Sequence, residues 1–289
     1  MKKKWLKIGA LLVALGIIVG LCLFANALVG NPVSKWLATR TAEKHLEEVY
    51  GDTDFEVERV GFNFKDTDYY VHVKSPSSVD SSFSLRIDML GNLKQDTYES
   101  RVLYGGNTQN RLYMEYRALA DEVLEAPDYP FNSFIAYGDL KVGFQAPDIE
   151  VGIPYWPESY VILGEVELDK KYDIRELAKT AGYLVVYVED EVVSIERAAE
   201  VLLELKEVFD RRNVPFYAID FVLEYPRKEE GGTIKEGRVN VENFLYSDIY
   251  EEGLVERVRM ADEKLNAYYA EEDAKKRELM EQLEAQENE

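Results

Sequence analysis

Histidine and cysteine are nearly missing from this chain, which holds two of the first and one of the second in 289 residues. His45 and His72 lack a partner histidine at ligand spacing, and the lone cysteine, Cys22, lies inside an apolar segment. A zinc site is thereby deprived of its usual ligands. Beyond that segment no disulfide or thiol chemistry is available. Positive charge is also short: 34 Lys and Arg against 55 Asp and Glu leave a formal net charge of -21. Such a surface repels polyphosphate and anionic headgroups, which argues against nucleic acid as a partner and suits basic partners, divalent cations or plain solubility. Disorder is excluded for the chain as a whole, because 46% hydrophobic and 12% aromatic residues are ample for a packed core.

Long hydrophobic runs are also scarce, and the one present stands at the start. Ile8 to Val29 carries no charge and only Asn26 as a strongly polar side chain. Crossing about 30 Å of hydrocarbon takes roughly 20 such residues at about 1.5 Å each, so the run predicts a transmembrane helix. Lys2, Lys3, Lys4 and Lys7 precede it, with Trp5 at the position of an interfacial anchor. The positive-inside bias then makes residues 1–7 a cytoplasmic tip and the remainder extracytoplasmic. A cleaved signal peptide is the competing reading, since Ala25-Asn26-Ala27 has the small-x-small form. The run is longer than a signal peptide's apolar core of roughly 7–15 residues, which favours a retained single-pass anchor in the cell membrane. A lipoprotein site at Cys22 is rejected, because Leu21 stands where a small residue is required.

Gly30-Asn31-Pro32 breaks that helix and opens another, with Asn31 as N-cap and Pro32 at the first helical position. Ala38, Ala42, Leu46, Val49 and Tyr50 make its apolar stripe. Strands are expected at 55–64, 69–74 and 83–89, and a helix from Asn107 or Thr108, giving a first α+β domain over 31–126. Ala126-Pro127-Asp128-Tyr129-Pro130 reads as a linker. A second α+β domain over 133–247 follows the order ββαβαββα, with helices capped by Asp173 and Ser194 and a closing hairpin of Phe216–Tyr225 and Ile234–Phe244. That order predicts a mostly antiparallel sheet with helices on one face. Residues 248–289 read as a charged helix and tail, whose Leu254, Val258, Ala261, Leu265 and Tyr268 keep a spacing that suits docking on the domain or pairing in a coiled coil. The pattern fails at Glu272 and Lys275, which favours a docked helix with a solvated tail.

The text at Asn31-Pro32-Val33-Ser34-Lys35-Trp36-Leu37 and Ala42-Glu43-Lys44 resembles the YfjL-like family of Gram-positive membrane proteins. The resemblance continues at Val60-Gly61-Phe62-Asn63-Phe64-Lys65-Asp66, Tyr69-Tyr70-Val71, Ser75-Pro76-Ser77-Ser78, Arg101-Val102-Leu103, Asn107-Thr108 and Arg111-Leu112. It implies one N-terminal anchor followed by two domains, and carries no activity, cofactor or site residue.

Motifs of catalysis are absent. Ser75, Ser77 and Ser78 follow the strand bearing His72, with Asp80 near, but no G-x-S-x-G elbow accompanies them. Asp52 with Asp54, and Asp66 with Asp68, place carboxylates two apart without continuing into a twelve-residue calcium loop, so they read as turn residues. Gly105-Gly106 is a glycine entry to a helix. No metal or cofactor is expected. The most suggestive stretch is Asp148 to Tyr160, where Tyr155, Trp156, Glu158 and Tyr160 combine aromatic faces with a carboxylate, as a ligand or glycan contact would. The expectation is a membrane-anchored extracytoplasmic module of the cell envelope that binds, senses or scaffolds, with an envelope protein or wall polymer as partner and no enzymatic activity. The alternative is a cell-wall glycan hydrolase working through carboxylates.

Overall fold

The computed structural model describes residues 12–18, 20, 24, 28–143, 161–162, 166–228 and 231–287. Over these the chain is α+β and falls into two compact units, Met1–Thr108 with Glu167–Asp169, and Gln109–Val166 with Lys170–Glu289. One expectation is overturned. Among the described residues no helix is long and apolar enough to cross a membrane, so the transmembrane helix assigned to Ile8–Val29 is withdrawn from the fold.

The first unit is a helix on an antiparallel meander. Helix α1 (Pro32–Tyr50) is followed by β1 (Glu56–Asn63), β2 (Asp68–Lys74), β3 (Ser82–Ile87) and β4 (Leu93–Asp96), which pair in chain order. A π-turn at Glu99–Leu103 then leads into α2 (Gly106–Leu124). Alternation along β2 and β3 sends Tyr69, Val71, Val73, Phe83, Leu85 and Ile87 to one face, where they are almost wholly buried. Ala38 and Ala42 of α1 meet that face, and their small side chains let the helix lie close to the strands. The other side of the same strands shows Tyr70, His72 and Lys74 beside Ser82, Ser84 and Arg86, all partly exposed.

The entry to α1 is held from inside the core. Asn31 caps the helix by accepting from the Ser34 N–H at 2.8 Å, with Pro32 in the first turn as expected. The buried Tyr69 hydroxyl then grips Asn31 twice, accepting from its N–H and donating to its carbonyl, both at 2.9 Å. Gly30 has φ +74, and a Cβ there would sit 2.5 Å from Tyr69 Oη and 2.8 Å from Phe62 Cγ. Only glycine fits this backbone and this gap.

In the second unit β5 (Asn132–Leu140), β8 (Gly182–Glu189), β9 (Ala218–Glu224) and β10 (Arg238–Leu245) form one sheet in the order β10-β9-β8-β5. A short parallel pair, β6 (Val142–Gly143) with β7 (Val161–Ile162), stands apart. Asp173 caps α3 (Ile174–Ala181) and Ser194 caps α4 (Ile195–Arg211), both as the residue pattern predicted. Because α4 crosses between β8 and β9, those two strands run parallel while the other pairs of the sheet are antiparallel. The core joins Leu184, Val186, Phe221 and Leu223 to Tyr116, Leu202 and Phe209 from the helices. Helix α5 (Leu254–Glu287) contributes Leu254, Val258 and Leu265, and beyond that point Leu279 and Met280 are exposed.

Two substitutions test the clamp on α1. Tyr69→Phe leaves the Asn31 N–H without its partner, while the Asn31 carbonyl keeps the Lys35 N–H at 3.0 Å, and should cost about 1–3 kcal/mol in urea unfolding. Gly30→Ala should cost a similar amount through its φ and the contact with Tyr69. Losses below about 0.5 kcal/mol for both would show that the clamp is dispensable.

Candidate functional site

Strand alternation decides where a ligand can reach the first unit. With α1 on one side of the meander, the residues at even steps along β2 and β3 face outward, and together with β1, the π-turn and the start of α2 they enclose a cleft of about 240 Å³. Glu58, His72, Ser82, Ser84, Arg101 and Asn107 supply its polar lining, while Val73 and Phe83 close the floor. Asn107 builds the wall: its amide donates to the Asp80 carbonyl at 2.8 Å and the Ser82 carbonyl at 2.6 Å. Glu58 is balanced by Lys74 at 3.2 Å. Arg101 is exposed and has no ion-pair partner among the described residues.

His72 is the centre of the cleft. Its Nδ1 lies 3.1 Å from Ser84 Oγ, and Arg59 pairs with it across the β1–β2 ladder. Burial lowers the imidazole pKa below its ordinary value and the Arg59 charge lowers it further, against a weaker opposite pull from Glu58. The ring is therefore neutral at pH 7. Among the described residues no carboxylate hydrogen-bonds to it, so the Ser84–His72 pair lacks the third group that would orient a general base.

The other residues singled out in the sequence have different places. The second histidine, His45, sits 2.8 Å from Asp96, which also accepts from the Tyr50 hydroxyl and the Tyr98 N–H at 2.8 Å each. Asp96 thereby ties α1 to β4, beside the edge-to-face rings of Tyr50, Phe55, Phe83 and Tyr98. Ser75 and Ser77 bond to each other, and hydrogen bonds from their hydroxyls hold Asp54 below the ordinary carboxylate range. Ser78 bonds to Asp169, and the buried Asp80 accepts from the Thr108 hydroxyl and the Asp169 N–H. These serines and Asp80 are the knot of one loop, and none of them reaches His72. Asp66 accepts from the Tyr70 hydroxyl and Asp68 pairs with Arg86, so both turn aspartates serve the hairpin. Among the described residues no group of three or more His, Cys, Asp or Glu is arranged to hold a metal. Tyr155, Trp156, Glu158 and Tyr160 lie outside the described residues.

Sequence reasoning missed Ser84 and Arg101 as partners of His72. Period-two alternation around Phe83 and Leu85 carries the signal for Ser84, whereas nothing local announces Arg101. A second cluster was also missed. Asp220 stands in β9 between the buried Ile219 and Phe221, on the face turned from the core, and accepts from the Tyr183 hydroxyl and, at 2.9 Å, from the Asn243 N–H. Asn243 takes φ +51 at a bulge in β10, which aims it back at this group. Burial, outweighing these two hydrogen bonds, pushes the Asp220 carboxyl up to about 6, and it raises the Tyr183 phenol as well. An acid inside the apolar run Ala218–Leu223 is the visible sign.

Two family models match the chain: the YfjL-like N-terminal domain over residues 2–100 and the YfjL-like C-terminal domain over residues 115–259. Neither a curated protein nor a solved structure matches it.

Asp220 sets a pH dependence with a definite sign. Its folded pKa of about 6 lies above the ordinary 3.8, so the folded state holds the proton more tightly. The stabilisation is complete below pH 3.8 and is lost as pH rises through about 6. Unfolding free energy of the second unit should fall by about 2–3 kcal/mol across that window, and Asp220→Asn should flatten the fall. An unchanged slope in the variant would assign the effect to other groups.

Proposed function

The chain belongs to the YfjL-like family, and we propose that it acts as a non-catalytic binding module whose ligand seats on the uncovered face of the first sheet. The observation that carries this reading is the cleft around His72, where hydroxyl, amide, imidazole and guanidinium groups converge on a concave surface. Convergent polar groups in a pre-formed hollow are what a binding site requires. Against the hydrolase alternative, no carboxylate among the described residues hydrogen-bonds to His72, and Asp66 and Asp68 are engaged by Tyr70 and Arg86. The reading keeps the cell envelope as setting, without the spanning helix. The acid excess of 55 Asp and Glu over 34 Lys and Arg is compatible with that setting, since it keeps a domain soluble without disulfides.

A photo-crosslinking side chain in place of Ser82, tested in cells that express the full chain, should yield a discrete adduct. The same group at the exposed Glu43 of α1 should yield none. Arg101→Glu, an exposed change worth less than about 0.5 kcal/mol in stability, should abolish the Ser82 adduct. Equal adducts from both positions, or release of soluble fragments from envelope polymer by the purified protein, would overturn the proposal.

A further inference from the structure

We infer that the cleft receives a carboxylate group of its ligand, held between the Arg101 guanidinium and the Ser84–His72 pair. The inference rests on the binding reading above and adds the chemistry of what is bound. Charge is the first argument. Acids outnumber Lys and Arg by 55 to 34 in this chain, yet Arg101 lines the hollow without an ion-pair partner among the described residues. Arg59, level with His72 on β1, likewise has none among them. The single acid of the lining, Glu58, is already matched by Lys74. The hollow is thus a positive spot on a negative molecule, and an exposed guanidinium there favours an oxyanion through charge-assisted hydrogen bonds.

Hydrogen-bond counting is the second argument. The Ser84–His72 contact uses one hydrogen, and a neutral pair has two. If Ser84 donates to Nδ1, the ring carries its own hydrogen on Nε2; if Nδ1 donates to Ser84, the serine hydroxyl hydrogen is spare. Either way the pair keeps one donor to offer. Asn107 does not compete, because its amide is engaged with the Asp80 and Ser82 carbonyls.

Size and field narrow the class. A cleft of about 240 Å³ holds on the order of eight waters at roughly 30 Å³ each. That is below the roughly 300–1,000 Å³ of pockets that swallow a whole small molecule. It suits one terminal group. A formal charge of -21 on the chain penalises a doubly charged group more than a singly charged one, which favours carboxylate over phosphate.

The test is an NMR titration of the full chain with acetate, with its neutral isostere acetamide, and with inorganic phosphate, at matched ionic strength and pH 7. It follows the His72 ring and the Ser82 to Ser84 amides. Acetate should shift them saturably, acetamide should not, and saturating acetate should raise the titration midpoint of His72. Arg101→Gln should weaken acetate about tenfold, as expected for loss of one charge-assisted contact, with an unchanged amide spectrum elsewhere. An equal response to acetamide would overturn the carboxylate inference while leaving the cleft a binding site. Phosphate binding tighter than acetate would overturn it in favour of a dianion. No saturable change with any probe would overturn both this inference and the binding reading.

Discussion

The Tyr69 hydroxyl, closed on both backbone groups of Asn31, is the contact on which the first unit depends. It stands at the end of a strand whose alternate residues are core, so the start of α1 is pinned to that face of the sheet and no other. One helix covers one face. The opposite residues of the same strands must then be polar, and His72, Ser82 and Ser84 follow from the register as strictly as Val71, Phe83 and Leu85 do. The cleft is the consequence of a meander that has a single helix to spend.

Three buried or half-buried acids show how differently this acidic chain treats its carboxylates. Asp80 is enclosed in a loop knot, and Asp96 joins a helix to a strand end. Asp220 is held by a phenol and a backbone N–H in a site whose burial still favours the proton. None of the three faces the cleft. There the local balance is reversed, with Arg101 in the lining and a histidine kept neutral by burial and by Arg59. On the binding role proposed above, a neutral donor pair beside a guanidinium would recognise charge without creating a nucleophile.

Much of the fold was legible because local signals agreed with one another. Asn31-Pro32, Asp173 and Ser194 mark helix starts by chemistry that needs no tertiary context. The alternation of Tyr69, Val71 and Val73 against Tyr70, His72 and Lys74 announced both the strand and its two faces. The short β4, with only Leu93 to Asp96, gave no apolar pattern and was missed, since its pairing with β3 is what makes it a strand. Parallel pairing of β8 with β9 was equally invisible, because it depends on the crossing of α4 rather than on strand residues. The apolar run at Ile8–Val29 misled in the opposite way: hydropathy alone predicted a spanning helix that the described residues do not form. The site was legible only in part. His72 was weighed only against Ser75, Ser77, Ser78 and Asp80, its neighbours in sequence, and set aside; the chain instead brings up Ser84 across the ladder and Arg101 from a turn.

The claim that the His72 face is open while the α1 face is closed can be put to one direct measurement. Carbethoxylation of the two histidines of the native full chain, followed peptide by peptide at neutral pH, reports accessible unprotonated imidazole at each. The account predicts that His72 reacts faster, since it is neutral and lines the cleft, while the His45 ring is engaged by Asp96 beneath the aromatic cluster. Faster reaction at His45, or no reaction at His72 before unfolding, would contradict it.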